Sequence, residues 1–193
     1  MGLKMENVNV KYVPNVKFRY RATDDDVCVI GNDPSVEQWK DVWTEDMFKG
    51  KRILVFSLPG AFTPTCSSKQ LPRYEEMYDE LKGNTIDEVY CISVNDAFVM
   101  RKWFADQGIE KVKYIPDGNG EFTRKMGMLV DKSNLGFGMR SWRYAMVVDD
   151  MRIIYFNAEP NLQDNAEEDP YINSHPEEVI MYLRGCFNID YDR

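Results

Sequence analysis

Histidine is nearly absent from this chain, with His175 the only one in 193 residues. That scarcity removes two kinds of chemistry at once. A cysteine or serine nucleophile activated by imidazole needs its ring in the right place, and His175 falls in a polar loop ahead of the last helical pattern. A zinc site needs clustered histidines or paired thiols. The four cysteines, Cys28, Cys66, Cys91 and Cys186, are far apart and form no Cys-x-x-Cys pair. No metal and no organic cofactor is expected. The Gly-rich turn Pro116–Gly120 lacks the Lys-Ser/Thr ending of a phosphate loop, which argues against a nucleotide. A basic stripe is also missing, and the net charge of −8 disfavours nucleic acid as a partner. No apolar run nears the ~20 residues that cross a bilayer. The opening MGLKMENVNVKYVPN has no apolar signal core, and Glu6 stands where myristoylation of Gly2 would want Ser or Thr. A disulfide framework is not expected without export. The expectation is a soluble, cytoplasmic, single-domain protein over 1–193, with a core at about 10–185, whose thiols are either buried or reactive.

What is present centres on Lys51–Gly83. Ile53–Leu58 reads as a buried strand, Pro59-Gly60 as a turn, and Ser67–Leu81 as a helix that Pro72 bends or divides into a first turn and a longer segment. Thr63-Pro64 is a helix-start signal, a hydroxyl suited to capping followed by a residue suited to the first helical position. Cys66 then falls in the first turn, where free N–H groups and the helix dipole favour negative charge. An ordinary thiol, with a pKa of about 8.5, is only ~3% ionised at neutral pH. A helix end supplies only ~0.5–2 kcal/mol toward the anion, so a second positive group is needed. With His175 misplaced, an arginine is the candidate. Arg143, at the head of the strand pattern SWRYAMVV, is the first choice because arginine is always charged and offers a rigid fork of donors. Arg140 is the runner-up.

The octet Pro59-Gly60-Ala61-Phe62-Thr63-Pro64-Thr65-Cys66 resembles the active-site signature of peroxiredoxins, thiol peroxidases on a thioredoxin-like fold. Its Pro-Gly-Ala-Phe-Thr form is similar to the type II, peroxiredoxin-five-like branch. Ser93–Met100, Pro116–Phe122 and Arg140–Val148 extend the likeness in order over about residues 10–185. Phe56–Pro160 resembles the peroxidase half of bacterial peroxiredoxin–glutaredoxin fusions. The resemblance implies an α/β, thioredoxin-like fold with a central mixed sheet and helices on both faces. It implies Cys66 as the peroxidatic cysteine, Arg143 as the catalytic arginine, Thr63 as a hydrogen-bond partner of peroxide and thiolate, and Pro59 as a shield over the sulfur. The substrates implied are hydrogen peroxide and alkyl hydroperoxides, with glutathione, glutaredoxin or thioredoxin as reductant, and a homodimer is expected. Some relatives carry a resolving cysteine after the fifth strand. Ala158–Pro170 contains none, which points to a one-cysteine cycle, with Cys186 left open as a resolver. A redox sensor or holdase using the same thiol is the alternative.

The rest of the chain supplies the layers. Val16–Arg21 and Val27–Ile30 read as short strands, and Trp39, Trp43 and Phe48 stand near helical spacing with Thr44 as a cap. Asp87–Val94, Lys111–Ile115, Ser141–Val148 and Arg152–Asn157 are further strands, and Asp149-Asp150 a hairpin turn. Helices are expected from Asn95-Asp96 to Gln107, at Glu121–Met126, and after the capping pattern Ser174-His175-Pro176-Glu177. Cys91 reads as a small buried hydrophobe in its strand and Cys28 as structural. Phe62, Phe98, Phe137 and Trp142 gather in sequence at one end of the sheet, as an aromatic interface would.

Overall fold

A computed structural model describes residues 3–4, 10–21 and 39–186. The expected strand at Val27–Ile30, the Cys28–Gln38 segment and Cys28 itself lie outside the described residues. The chain begins with β1 (Leu3–Lys4), β2 (Lys17–Arg21), β3 (Trp39–Trp43), α1 (Thr44–Phe48) and β4 (Arg52–Ser57). A π-helical turn (Cys66–Gln70) then runs into α2 (Leu71–Glu76) and α3 (Tyr78–Gly83). There follow β5 (Glu88–Ser93), α4 (Ala97–Asp106), β6 (Lys113–Pro116), α5 (Glu121–Lys125) and β7 (Leu129–Asp131). β8 (Met139–Ser141), β9 (Tyr144–Asp149), β10 (Arg152–Ala158) and α6 (Pro176–Leu183) complete the order.

The central sheet runs β1-β10-β9-β4-β5-β6. β4, β5 and β6 are parallel, while β9 is antiparallel to both β4 and β10, so the sheet is mixed. β4 lies between two neighbours, and its Ile53, Leu54, Val55 and Phe56 are all fully buried. A strand covered on both faces selects apolar residues at successive positions, which is why its pattern is a run instead of an alternation. Phe56 is in register with Cys91, and Tyr90 precedes it, so Phe56 and Tyr90 point to opposite faces. Phe56 stacks on Tyr74 of α2 with ring centroids 3.8 Å apart, and Tyr90 meets Phe48 of α1 at 6.3 Å. Helices therefore cover both faces, giving the α/β thioredoxin-like fold. The β9–β10 turn is tight, with Asp150 and Met151 at φ 46° and 70°. Two left-handed residues make the hairpin twist favoured between strands, and Asp150 Oδ1 accepts from Gly50 N at 2.7 Å.

Three local expectations are corrected. Trp39 and Trp43 belong to β3, paired with β2, and only Thr44–Phe48 is helical. Thr44 is buried and exchanges hydrogen bonds with the Val16 backbone at 3.2 Å, so its hydroxyl ties the hairpin end down instead of capping the helix. The Ser67–Leu81 helix is divided near Pro72, as expected, and its first part is a π turn. Pro72 has no N–H to donate to the turn before it, and the backbone widens there, with Leu71 N–H reaching back to Cys66 O. A second break falls at Met77 (φ −91°, ψ 5°). In the last helix His175 is the residue before Pro176. Ser174 instead sends its N–H and hydroxyl to Glu159, at 3.0 and 2.7 Å.

Candidate active site

The carboxyl end of the buried strand β4 delivers the chain into the Pro59–Phe62 turn, the position at which open α/β sheets present their ligand crevices. Pro59 and Gly60 are buried. Asn95, just after β5, accepts from Ala61 N at 3.0 Å and from Ser93 Oγ at 2.7 Å, which fastens the turn to the neighbouring strand. Phe62 is held in left-handed backbone at φ 64°, half exposed. That conformation disfavours a residue with a Cβ by about 1–2 kcal/mol, and the structure maintains it at the one turn leading into the helix. Thr63 directs its hydroxyl to Gly60 O at 2.8 Å and its carbonyl accepts from Ser67 N at 3.0 Å. The expected side-chain cap is thus replaced by a turn-closing bond. Pro64 begins the helical backbone, and Cys66 follows, with no exposed surface.

Arg143 lies in the gap between β8 and β9, one residue before the strand that the sequence pattern placed it in, and it is 1% exposed. Its Nη1 is 3.5 Å from Cys66 Sγ and also donates to Gln70 Oε1. Its Nη2 forms a bidentate pair with Asp169 at 2.6 and 2.5 Å, and Nε donates to Pro170 O at 3.0 Å. Burial opposes the guanidinium charge, but the Cys66 sulfur and the Asp169 carboxylate outweigh it and hold the group above its ordinary value. A fork with every arm engaged cannot swing away from the sulfur. Arg140 is elsewhere, donating to Val94 O at 2.6 Å. The structure therefore brings Arg143 to Cys66 and leaves the runner-up outside.

Three contributors were not legible as site residues. Gln70 receives Arg143 and donates through Nε2 to Ser57 O at 3.3 Å, joining the arginine to the end of β4. Asp169 comes from the polar stretch that composition marks only as a loop. Glu159, fully buried, accepts from the N–H groups of Ile172, Asn173 and Ser174, and so shapes the segment that carries Asp169 and Pro170. A lone glutamate following an apolar strand end was the available signal for Glu159. Trp142, expected at an interface, is 3% exposed and donates to Glu159 O at 2.9 Å. His175 stacks on Tyr171 at 3.8 Å, with Nε2 3.1 Å from the Tyr171 carbonyl oxygen. Cys91 is fully buried inside β5, and burial pushes its thiol well up. Cys186 is exposed just beyond α6. Among the described residues, no group of three or more His, Cys, Asp or Glu side chains is arranged to hold a metal, and no helix is long and apolar enough to cross a membrane.

A mixed sheet that presents a buried thiol at a helix start beside a clamped arginine defines a redoxin, and the family model described as Redoxin matches residues 8–172. The chain is 53% identical over 174 residues to a peroxiredoxin of Synechocystis sp., covering 90% of each. It is 45% identical over 179 residues to a hybrid peroxiredoxin of Haemophilus influenzae, covering 93% of this chain and 67% of that one. The solved structure of the Plasmodium falciparum antioxidant protein, a 1-Cys peroxiredoxin, superposes with a TM-score of 0.82 at 42% identity, covering 90% of this chain and 98% of that one. The chain belongs to the peroxiredoxin family, in its type II, peroxiredoxin-five-like branch, and is a thiol-dependent peroxidase.

Proposed function

We propose that the whole chain forms one domain that reduces hydrogen peroxide and alkyl hydroperoxides through Cys66, with Arg143, Thr63 and Pro59 completing the catalytic site. The observation that carries this reading is the 3.5 Å approach of Arg143 Nη1 to a fully buried Cys66 Sγ. The thiolate attacks the terminal peroxide oxygen. A sulfur–oxygen bond forms, the oxygen–oxygen bond breaks, and the departing oxygen takes a proton to leave as water or alcohol, so Cys66 ends as a sulfenic acid. Arg143 stabilises the sulfur anion and the charge that develops on the departing oxygen, and its clamped fork needs no reorganisation as the reaction proceeds. Thr63 hydrogen-bonds the peroxide, and Pro59 keeps bulk water off the sulfur.

Recycling runs by a one-cysteine cycle. The segment from Ala158 to Ser174 contains no cysteine, and Cys91 is locked in the sheet interior. Glutathione or glutaredoxin, with thioredoxin as the rival donor, meets the sulfenic acid from outside. The chain pairs as a homodimer through the sheet end that exposes Phe62, Phe98 and Phe137, at 52%, 46% and 36%. Peroxide consumption supported by glutathione plus glutaredoxin, measured against thioredoxin, is the deciding experiment. The expected result is faster turnover with the glutathione system and, after one equivalent of peroxide, a protein one oxygen heavier that glutathione converts to a mixed disulfide. A disulfide between Cys66 and Cys28, Cys91 or Cys186 would overturn the one-cysteine cycle.

A further inference from the structure

A pocket of about 470 Å³ opens beside the Cys66 helix, on the side where the 159–175 segment crosses it. Thr65, Lys69 and Arg73 line it from the helix, Asp169, Tyr171 and His175 from the facing segment, and Glu177 from the first turn of α6. Its size is that of a small-molecule site. It is one ion pair removed from the reacting sulfur, since Asp169 binds Arg143 Nη2 while Arg143 Nη1 contacts Sγ.

Two residues lining this pocket each carry a buried polar atom with no hydrogen-bond partner, Tyr171 Oη and Glu177 Oε2. Burying a hydroxyl or carboxylate oxygen without a partner is unfavourable, so such atoms are rare, and here both belong to residues lining one cavity. The other oxygen of Glu177 is taken by Arg73 at 2.6 Å, and Arg73 is also held by Glu76 at 2.6 Å. Lys69 on the opposite wall is exposed, and its ammonium makes no ion pair or hydrogen bond among the described residues. The pocket therefore sets the carboxylates of Asp169 and Glu177 on one wall against the Lys69 ammonium on the other, with the Tyr171 phenol among charged neighbours. A simple anion would meet Asp169 and Glu177, and a simple cation would meet Lys69 and Arg73. A zwitterion matches both walls.

From this charge arrangement we infer that the pocket is the docking site of the reducing thiol, and that it selects a small zwitterionic peptide thiol of the glutathione type. The ammonium is received by Glu177 and Asp169, a carboxylate by Lys69, and Tyr171 Oη gains the partner it lacks. The inference rests on the one-cysteine reading above. The bound thiol, as its thiolate, attacks the sulfur of the Cys66 sulfenic acid. A sulfur–sulfur bond forms, the sulfur–oxygen bond breaks, and the oxygen leaves as water with the proton lost by the thiol. The peroxide step has already supplied the oxidation. Cys66 is fully buried, so the attack requires the helix to open at the π turn, on the side that Thr65 and Lys69 present to the pocket.

The test is a rapid-mixing measurement on full-length protein oxidised with one equivalent of peroxide and then reduced by glutathione or, separately, by dithiothreitol. The readout is the ratio of the two reduction rates. Lys69→Glu is expected to lower that ratio about tenfold and Glu177→Gln by a few-fold. Tyr171→Phe removes a hydroxyl that has no partner, so it lowers the ratio while thermal stability stays the same or rises. Glutathione with both carboxylates esterified is expected to erase the difference between wild type and Lys69→Glu. If wild-type protein forms the glutathione adduct and all three variants keep its ratio, the docking site is wrong and the one-cysteine cycle stands. If the wild type forms no glutathione adduct while dithiothreitol reduces it, the one-cysteine reading fails and the site falls with it.

Discussion

Cys66 and Cys91 are both fully buried. What differs is the company each keeps. Cys91 lies within β5, in register with Phe56 and Tyr114, and burial pushes its thiol well up. Cys66 lies at a helix start with a guanidinium 3.5 Å away, itself held by Gln70, Asp169 and Pro170. Burial alone makes a thiol inert, because the charged form is penalised without compensation. The same burial beside clamped donors makes an electrostatic site, because each interaction is stronger where water is excluded. The two thiols thus differ in the donors around them and not in exposure.

Removing the sulfurs one at a time separates their roles most sharply. Cys66→Ser is expected to bring peroxide consumption down to the uncatalysed level, while Cys91→Ser retains most of it per folded molecule. Equal loss in both variants, measured at saturating reductant, would mean that Cys91 takes part in the chemistry. Next in size is Arg143→Ala, which removes the donor that distinguishes the two sites. Its rate constant for the peroxide step should fall about 10²–10³-fold, whereas Arg140→Ala, whose guanidinium binds Val94 O, stays within a few-fold. Arg143→Lys should recover little of the loss, since an ammonium cannot reproduce the fork.

Asp169→Ala sharpens the comparison by leaving Arg143 in place and removing its clamp. About a tenfold fall in kcat/KM for peroxide is expected, with Asp169→Glu partly restoring it. A variant at full speed would show that Gln70 and Pro170 alone suffice to aim the guanidinium. The smallest effect concerns Cys91. Because burial raises the pKa of the Cys91 thiol in the folded state, the unfolded chain releases that proton first as pH rises. This contribution to stability is intact below pH ~9 and is lost above it, by at most roughly 1.4 kcal/mol per pH unit. Urea unfolding of wild type and Cys91→Ala between pH 8 and 10 should show the steeper alkaline decline in the wild type. Parallel declines would contradict the assignment of Cys91 as a neutral core residue.

The strand, turn and helix start around Cys66 were readable from the chain because each rests on neighbours in sequence. An apolar run makes β4, Pro59-Gly60 turns the chain, and Pro64 can only open a helix or stay outside one. Arg143 was readable for a related reason, as the charged residue at the head of an apolar strand in a chain whose single histidine was out of reach. The helix breaks were half legible, since Pro72 announced a disturbance without saying that the backbone would widen at Cys66 itself. Trp39 and Trp43 misled, because a four-residue spacing fits one helix face and also alternate positions of a strand, and pairing with β2 decided between them. The sequence by itself thus determined which residues could carry a thiolate and how the chain would present it. Tertiary structure alone decided what surrounds it. Gln70 and Asp169 meet Arg143 across 73 and 26 residues of chain, and Glu159 gathers the N–H groups of a loop with no periodic pattern. Hydrogen bonds of that reach leave no local spacing to read, and only the packing of α2, β9 and the 159–175 segment onto one another brings their ends together.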